Sequence, residues 1–314
     1  MCPYYISNNL RIFILEGLEH HINILKYFKE HDYLFIIMPC YFTEDFFKQN
    51  MNILYQENKI LTSNNIIFMC ASNIEIEICN KLNLRHILCN HNAFLDINTF
   101  KIQNNNKIYN AVMNCRPEGW KRPFFAEKIS KLAILKGHNI RKHDYYDLTQ
   151  LNPDYINNDK RLSPIEVSDI YSKSHVGLIF SEQEGACYSS SEYLLCGLPV
   201  ISTKSKGGRD FFYNEKNSII CEENSESVLK CVNEAIEKIK NGFFNAEEIR
   251  NKHIEQMKIC QDNLINKVDE IFKLYNINED SQILFEYNFN KYEKLKEGIS
   301  LDKAIKLVVS SIIP

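Results

Sequence analysis

No stretch of this sequence stays apolar long enough to cross a bilayer. The longest such run, Leu34 to Phe42, is far shorter than the ~20 residues a membrane helix needs. Nor does the N-terminus join a basic segment to a long apolar one, as a secretory leader does. These absences point to a cytoplasmic protein, at most peripheral to the inner face of a membrane. A surplus of either charge is also missing. The 37 Lys and Arg against 40 Asp and Glu leave a formal net charge of -3, so neither a nucleic-acid partner nor an acidic tail is expected. The 11 cysteines include no CxxC pair and no Cys/His cluster at metal spacing, which favours reduced, mostly buried thiols and no bound metal. No G-x-G-x-x-G follows a strand, so a dinucleotide dehydrogenase lacks its fingerprint.

What is present is enough for two modest cores: 314 residues with 45% hydrophobic content. In the first hundred residues LRIFILE, EHHINILKYFKEH, YLFIIM and TEDFFKQNMNILYQEN alternate strand-like and helix-like patterns. NIIFMC, NIEIEICNKLNL and HILC continue the rhythm, which predicts parallel strands covered by helices. The polar run INTFKIQNNNK, residues 97 to 107, interrupts it and reads as a linker. The expected division is therefore a Rossmann-like domain over 1–105 and a second over 106–275. A less regular helical tail over 276–314 is a candidate to pack back on the first domain.

In the second domain IYNAVMN predicts a strand, CRPEGWKR a turn, and Pro123 the first position of a helix. SPIE at 163 to 166 is a capping box, and the apolar VGLIF predicts a central strand buried on both faces. From Ser225 the pattern is helical, with Asn245 and Glu248 marking a further start.

The stretch SEQEGACYSSSEYLLCGLPVIST, residues 181 to 203, follows VGLIF and places Glu184 and Glu192 around a turn that opens a helix. Gly197 and Pro199 end that helix, so the unit reads strand, loop, helix, turn, strand. Amides of Gly185, Ala186, Cys187, Tyr188 and Ser189 at the helix start suit an anion such as a diphosphate. Glu192 is then placed to accept the hydroxyls of a ribose, and Glu184 those of whatever the phosphate carries. A nucleotide sugar meets all three demands. Acids near helix starts are also common simply because they offset the helix dipole.

Residues 162 to 208, LSPIEVSDIYSKSHVGLIFSEQEGACYSSSEYLLCGLPVISTKSKGG, resemble the nucleotide-sugar site of the retaining glycosyltransferases of family four. The resemblance implies an α/β protein of the GT-B fold, two Rossmann-like domains facing across a cleft, here with an abbreviated N-terminal domain. Members carry an Arg and a Lys five positions apart after the first strand of the C-terminal domain, and Arg116 and Lys121 in NCRPEGWKRPFF match them. In that scheme Arg116 and Lys121 neutralise the departing diphosphate without a metal, Glu184 orients the donor sugar and Glu192 holds the ribose. Arg122 is an extra candidate.

The implied reaction moves a sugar, with retention, from a nucleoside-diphosphate sugar to a saccharide or lipid-linked saccharide. Surface polysaccharide biosynthesis is the expected setting, and the donor is a co-substrate rather than a cofactor. Lys128, Lys131 and Lys136 are candidates to touch a membrane carrying such an acceptor. ILEGLEHHINILKYFKEHDYLFII is similar to the family's first β-α-β unit, which makes Gly17 a candidate donor contact. HILCNHNAFLDINTF is similar to the end of the family's N-terminal domain, with Asp96 and Phe100 in the expected places. No counterpart of the family's N-domain histidine stands out: His20 and His21 read as a partly exposed cap region at a helix start, and His91 as structural.

Ala186 and Cys187 replace a usual second glycine, and their Cβ atoms narrow the sugar pocket. Cys187 has no His or Asp partner nearby in sequence and reads as a packing residue rather than a nucleophile. Gly207, Gly208 and Asp210 form a polar turn after PVIST. The alternatives that stay open are a nucleotide-sugar epimerase or hydrolase on the same fold, and a non-catalytic nucleotide-sugar-binding protein.

Overall fold

The computed structural model describes residues 2–17, 22–38, 43–58, 63–138, 142–158 and 160–292. His20 and His21 lie outside them. Two compact units divide the chain. Unit 1 comprises residues 1–94 and 257–314, and unit 2 comprises residues 95–256.

Unit 1 is a five-stranded sheet in the order β1-β2-β3-β4-β5. β1 (Cys2–Ile6) runs antiparallel to β2 (Arg11–Glu16). β2, β3 (Asp32–Ile37), β4 (Ile66–Cys70) and β5 (His86–Leu88) pair in parallel. β3 and β4 are buried at every position, as their unbroken apolar sequences require of strands covered on both faces. The connections carry α1 (Ile22–Leu25), α2 (Glu44–Glu57) and α3 (Asn73–Lys81). α1 is a single turn, much shorter than the helix that EHHINILKYFKEH suggests.

Unit 2 holds a six-stranded parallel sheet in the order β13-β11-β9-β6-β7-β8. Its strands are β6 (Tyr109–Cys115), β7 (Leu132–Lys136), β8 (Tyr155–Ile156), β9 (Ser174–Ile179), β11 (Val200–Thr203) and β13 (Ser218–Cys221). A separate ribbon pairs β10 (Gln183–Glu184) with β12 (Lys206–Gly207). The helices are α4 (Pro164–Ser172), α5 (Tyr188–Leu195) and α6 (Ser225–Lys240). α7 (Ala246–Leu274) gives its first part to unit 2 and the rest to unit 1, where α8 (Ser281–Tyr292) follows. Within unit 1, Asn288 of α8 donates to the carbonyl of Tyr4 on β1 at 2.9 Å.

Two expectations change. The Asn-rich run at 97 to 107 belongs to unit 2 and is fastened to it. Gln103 reaches Ser168 at 3.1 Å, Asn105 reaches Ser172 at 2.7 Å, and Lys107 reaches the carbonyl of Ser174 at 2.7 Å. Its polarity serves those bonds rather than solvation of a free linker. After β6 there is no α-helix at Pro123. Gly119–Lys121 and Pro123–Ala126 are two 3-10 turns joined at Arg122, whose left-handed φ of 51° prevents one continuous helix. The capping box at Ser163 and Glu166 forms as expected.

Candidate active site

The strand order of unit 2 reverses between β6 and β9, since β7 and β8 extend from one side while β11 and β13 extend from the other. Open α/β sheets hold ligands beyond the carboxyl ends of such a strand pair, because the connections part there and leave a crevice. Arg116 follows β6 directly, and Glu184 lies on β10, shortly past the end of β9.

Lys121 donates from Nζ to Oε1 of Glu184, and the Ser181 hydroxyl donates to the same oxygen at 2.5 Å. Both charged side chains are largely withdrawn from water, at 14% and 11% of full exposure. Burial alone raises the pKa of Glu184. The charge and hydrogen bond of Lys121, the Ser181 hydroxyl and the charge of Arg209 together outweigh it and hold the carboxyl below its ordinary value. Arg209 is fully buried and donates to the carbonyls of Ser181 and Thr203, with Asp210 at 2.7 Å from its Nε. It thereby fastens the loop after β9 to the loop after β11.

Arg116 and Arg122 behave differently. Arg116 is one-third exposed and approaches Oε2 of the buried Glu118 through Nε at 3.3 Å, with its guanidinium 5.4 Å from the centre of the Trp120 ring. Arg122 is committed to structure. It donates to the Phe180 carbonyl at 2.5 Å and to Thr203 Oγ1 at 2.8 Å, and pairs with Glu223 at 2.7 Å. The diphosphate role weighed for Arg122 is thus taken up by loop tethering.

Cys187, the residue before α5, has a φ of 57°, in the left-handed region that favours glycine. Its thiol is pushed up to about 12, first by burial and then by the charge of Glu184, so it is protonated at neutral pH and no nucleophile. Ser189 donates to the Asn114 carbonyl at 3.2 Å and Ser190 to Tyr213 at 2.8 Å. Glu192 is buried on α5 and accepts from the Tyr171 hydroxyl at 2.8 Å; that hydroxyl accepts from Asn114 Nδ2 at 2.5 Å. Burial, then the charge of Glu192, raises the Tyr171 pKa, so the phenol keeps its proton to donate. Tyr193 packs where a Cβ on Gly177 would lie 2.2 Å from its ring, which ties α5 to the middle of β9.

Lys121 and Glu184 are therefore in contact, and Arg116 shares the Trp120 ring with Lys121. Glu192 is bonded to Tyr171, whose hydroxyl accepts from Asn114 Nδ2. Gly17, with φ of 70° at the carboxyl end of β2, belongs to unit 1. Lys128 is paired with Glu226 on the surface. Sequence reasoning leaves out Glu118, Trp120, Ser181, Tyr171 and Arg209. The uniqueness of Trp120 in the chain and the Arg in GGRD are the two signals that point toward any of them. Among the described residues no group of three or more His, Cys, Asp or Glu side chains gathers to hold a metal ion, and no helix is long and apolar enough to cross a membrane.

Residues 154–256 match the family model described as Glycosyl transferases group 1. Among solved structures the chain is similar to TarM, with a TM-score of 0.56 and 15% identity, over 81% of this chain and 54% of that one. Sucrose-phosphate synthase from Thermosynechococcus elongatus aligns with a TM-score of 0.59 and 11% identity, over 82% of this chain and 74% of that one. HepE from Anabaena, in complex with UDP and glucose, gives 0.54 and 13%, over 76% and 72%. The chain thus spans about half the length of TarM, and at these identities the likeness establishes the fold. No curated protein matches the chain significantly in sequence. Residues 154–256, which include Glu184, Glu192 and all of α5, are thus similar to the glycosyl transferases group 1, and the chain has the GT-B fold of two Rossmann-like units.

Proposed function

We propose that unit 2 binds a nucleoside-diphosphate sugar and that the protein transfers the sugar, with retained anomeric configuration, to a saccharide or lipid-linked saccharide in surface polysaccharide biosynthesis. The observation that carries this reading is the contact between Lys121 and Glu184 at the switch point of the sheet, with Arg116 beside it and the N-terminus of α5 next in the chain. A cation bonded to a carboxylate suits a donor molecule in which a phosphate oxygen and a sugar hydroxyl are only a few bonds apart. Lys121 and Arg116 take the diphosphate, whose negative charge grows as the glycosidic bond breaks, and Glu184 accepts hydroxyls of the sugar. Glu192, oriented by Tyr171, accepts the ribose hydroxyls. The acceptor hydroxyl attacks the face from which the diphosphate leaves, and the departing phosphate oxygen takes its proton. The two cations supply the leaving-group charge that a metal supplies elsewhere.

Support for a nucleotide donor comes from HepE, whose structure contains UDP and glucose. The test is product analysis by NMR with a panel of nucleotide sugars, in the wild type and in Arg116→Ala and Lys121→Ala. The expected outcome is a retained anomeric configuration, with transfer and donor hydrolysis both reduced about 10²–10³-fold in each variant, the size of one lost charge-stabilising donor. Full activity in both variants removes the electrostatic role. Turnover of the nucleotide sugar alone, without an acceptor, indicates an epimerase or hydrolase instead.

A further inference from the structure

The turn that carries the two cations holds an arrangement not needed to close the turn. Glu118 is completely buried, and its Oε2 takes both the indole Nε1–H of Trp120, at 2.5 Å, and the approach of Arg116 Nε, at 3.3 Å. The other side of the bracket is the indole itself. Lys121 Nζ lies 4.2 Å and the Arg116 guanidinium 5.4 Å from the centre of its ring. The backbone beneath is fixed as well: the Trp120 amide donates to Asp144 Oδ2 at 3.0 Å, and a Cβ on Gly119 would meet Asp144 Oδ1 at 2.7 Å.

A tryptophan face attracts cations through its quadrupole, more so when water is excluded, and it fixes their position without consuming the donor hydrogens. Each cation also has one carboxylate contact, Lys121 with Glu184 and Arg116 with Glu118, and the indole holds the two near one ring without adding a further negative charge. Arg116 engages Glu118 through Nε, and its terminal nitrogens make no hydrogen bond among the described residues. The buried carboxylate meets the ring at its Nε1–H edge, where it sets the indole plane and one edge of Arg116.

We infer that Glu118 and Trp120 are positioning residues: the buried carboxylate orients the indole, and the indole face presents Arg116 and Lys121 together to a diphosphate. This rests on the proposed donor site. It adds that the affinity for the diphosphate depends on two residues that do not touch it, and that the single tryptophan of the chain reports its arrival. A diphosphate that draws Arg116 and Lys121 toward itself changes the charge lying against the indole, and with it the emission.

The test titrates the full-length protein with UDP, GDP and ADP, following tryptophan fluorescence and, in parallel, heat of binding, with thermal melting as a check on folding. For the wild type, at least one diphosphate is expected to shift the emission with the same saturation curve that calorimetry gives. In Glu118→Gln the affinity is expected to fall about tenfold and the emission change to shrink, with the KM for donor rising more than kcat falls, as for a lost cation-positioning contact. Trp120→Leu is expected to lose about tenfold or more, and Trp120→Phe, which keeps a weaker aromatic face, to recover part of the loss. Calorimetric binding to the wild type with undiminished affinity in folded Glu118→Gln and Trp120→Leu overturns the positioning role and leaves the donor site standing. Absence of heat with every diphosphate overturns both.

Discussion

In unit 1 the parallel strands β2, β3, β4 and β5 are laid down in one direction, whereas in unit 2 the order reverses between β6 and β9. The candidate active site is at the reversal. Buried ion pairs follow the same division. Arg11 and Asp32 face each other at the first residues of β2 and β3, at the amino ends of the strands, and are 2% and 0% exposed. Asp32 also accepts the Lys29 amide at 2.7 Å, and Arg11 lies over Phe13. Lys121 and Glu184 meet beyond the carboxyl ends of β6 and β9. The first pair is buried at 2% and 0% exposure, and the second keeps 14% and 11%.

Removing one partner from each pair separates structure from function. Arg11→Met leaves the Asp32 carboxylate buried without its cation, and the expected loss is about 3–5 kcal/mol in a urea melt. Lys121→Met leaves Glu184 the Ser181 hydrogen bond and the charge of Arg209, so its cost is expected to be about 1–2 kcal/mol, with the proposed diphosphate binding weakened as well. Equal destabilisation by the two substitutions would break the distinction between the pairs.

Two buried glutamates sharpen it through pH. Glu75 of unit 1 is fully buried; one oxygen accepts the Ala71 amide at 2.5 Å and the other has no hydrogen-bond partner among the described residues. Burial outweighs the Ala71 and Ser72 amides and raises its pKa from 4.5 to about 7. A carboxyl with a raised folded pKa binds an extra proton in the folded state between the two values. Its contribution is therefore whole below pH ~4.5 and lost as pH climbs to ~7, a fall of about 3 kcal/mol. Glu184 has a lowered folded pKa, so its contribution is whole above the unfolded value and is lost only as pH falls through the folded one. Glu75→Gln should flatten the stability profile between pH ~4.5 and ~7, and Glu184→Gln should leave that stretch sloping. Thermal melts across pH decide it, and an unchanged slope in Glu75→Gln contradicts the assignment.

The same contrast explains what the residues reveal before folding is known. VGLIF is legible as a central strand because burial on both faces leaves an unbroken apolar run, and Ser163 is legible as a cap because its partner is three residues away. Lys121 and Glu184 are legible through their motif, each anchored just past a strand. β1 is hidden by Pro3 and by the irregular register between Pro3 and Tyr5. Tyr171 and Arg209 are hidden for another reason. Tyr171 meets Glu192 across 21 positions and Arg209 meets Ser181 across 28, and no periodicity links such pairs. The helix suggested at Pro123 fails because Pro at a first position permits a helix but cannot impose one when the preceding Arg122 is left-handed.

The smallest expected effect separates two phenol-to-carboxylate bonds of similar length. In unit 1, Tyr5 donates to Glu279 at 2.9 Å; in unit 2, Tyr171 donates to Glu192 at 2.8 Å. Glu279 is exposed, so water replaces the phenol in Tyr5→Phe, and the melting free energy should change by less than about 0.5 kcal/mol. Tyr171 is fully buried, and its loss deprives Asn114 Nδ2 of an acceptor as well as Glu192 of a donor. Tyr171→Phe should cost about 1–2 kcal/mol for the stranded polar groups. If Glu192 holds the ribose, a carboxylate freed to rotate should also bind the donor a few-fold more weakly, read as a higher KM with little change in kcat. A Tyr171→Phe protein that loses stability but keeps its donor KM would mark the Tyr171 bond as part of the core alone and take the orienting role away from it.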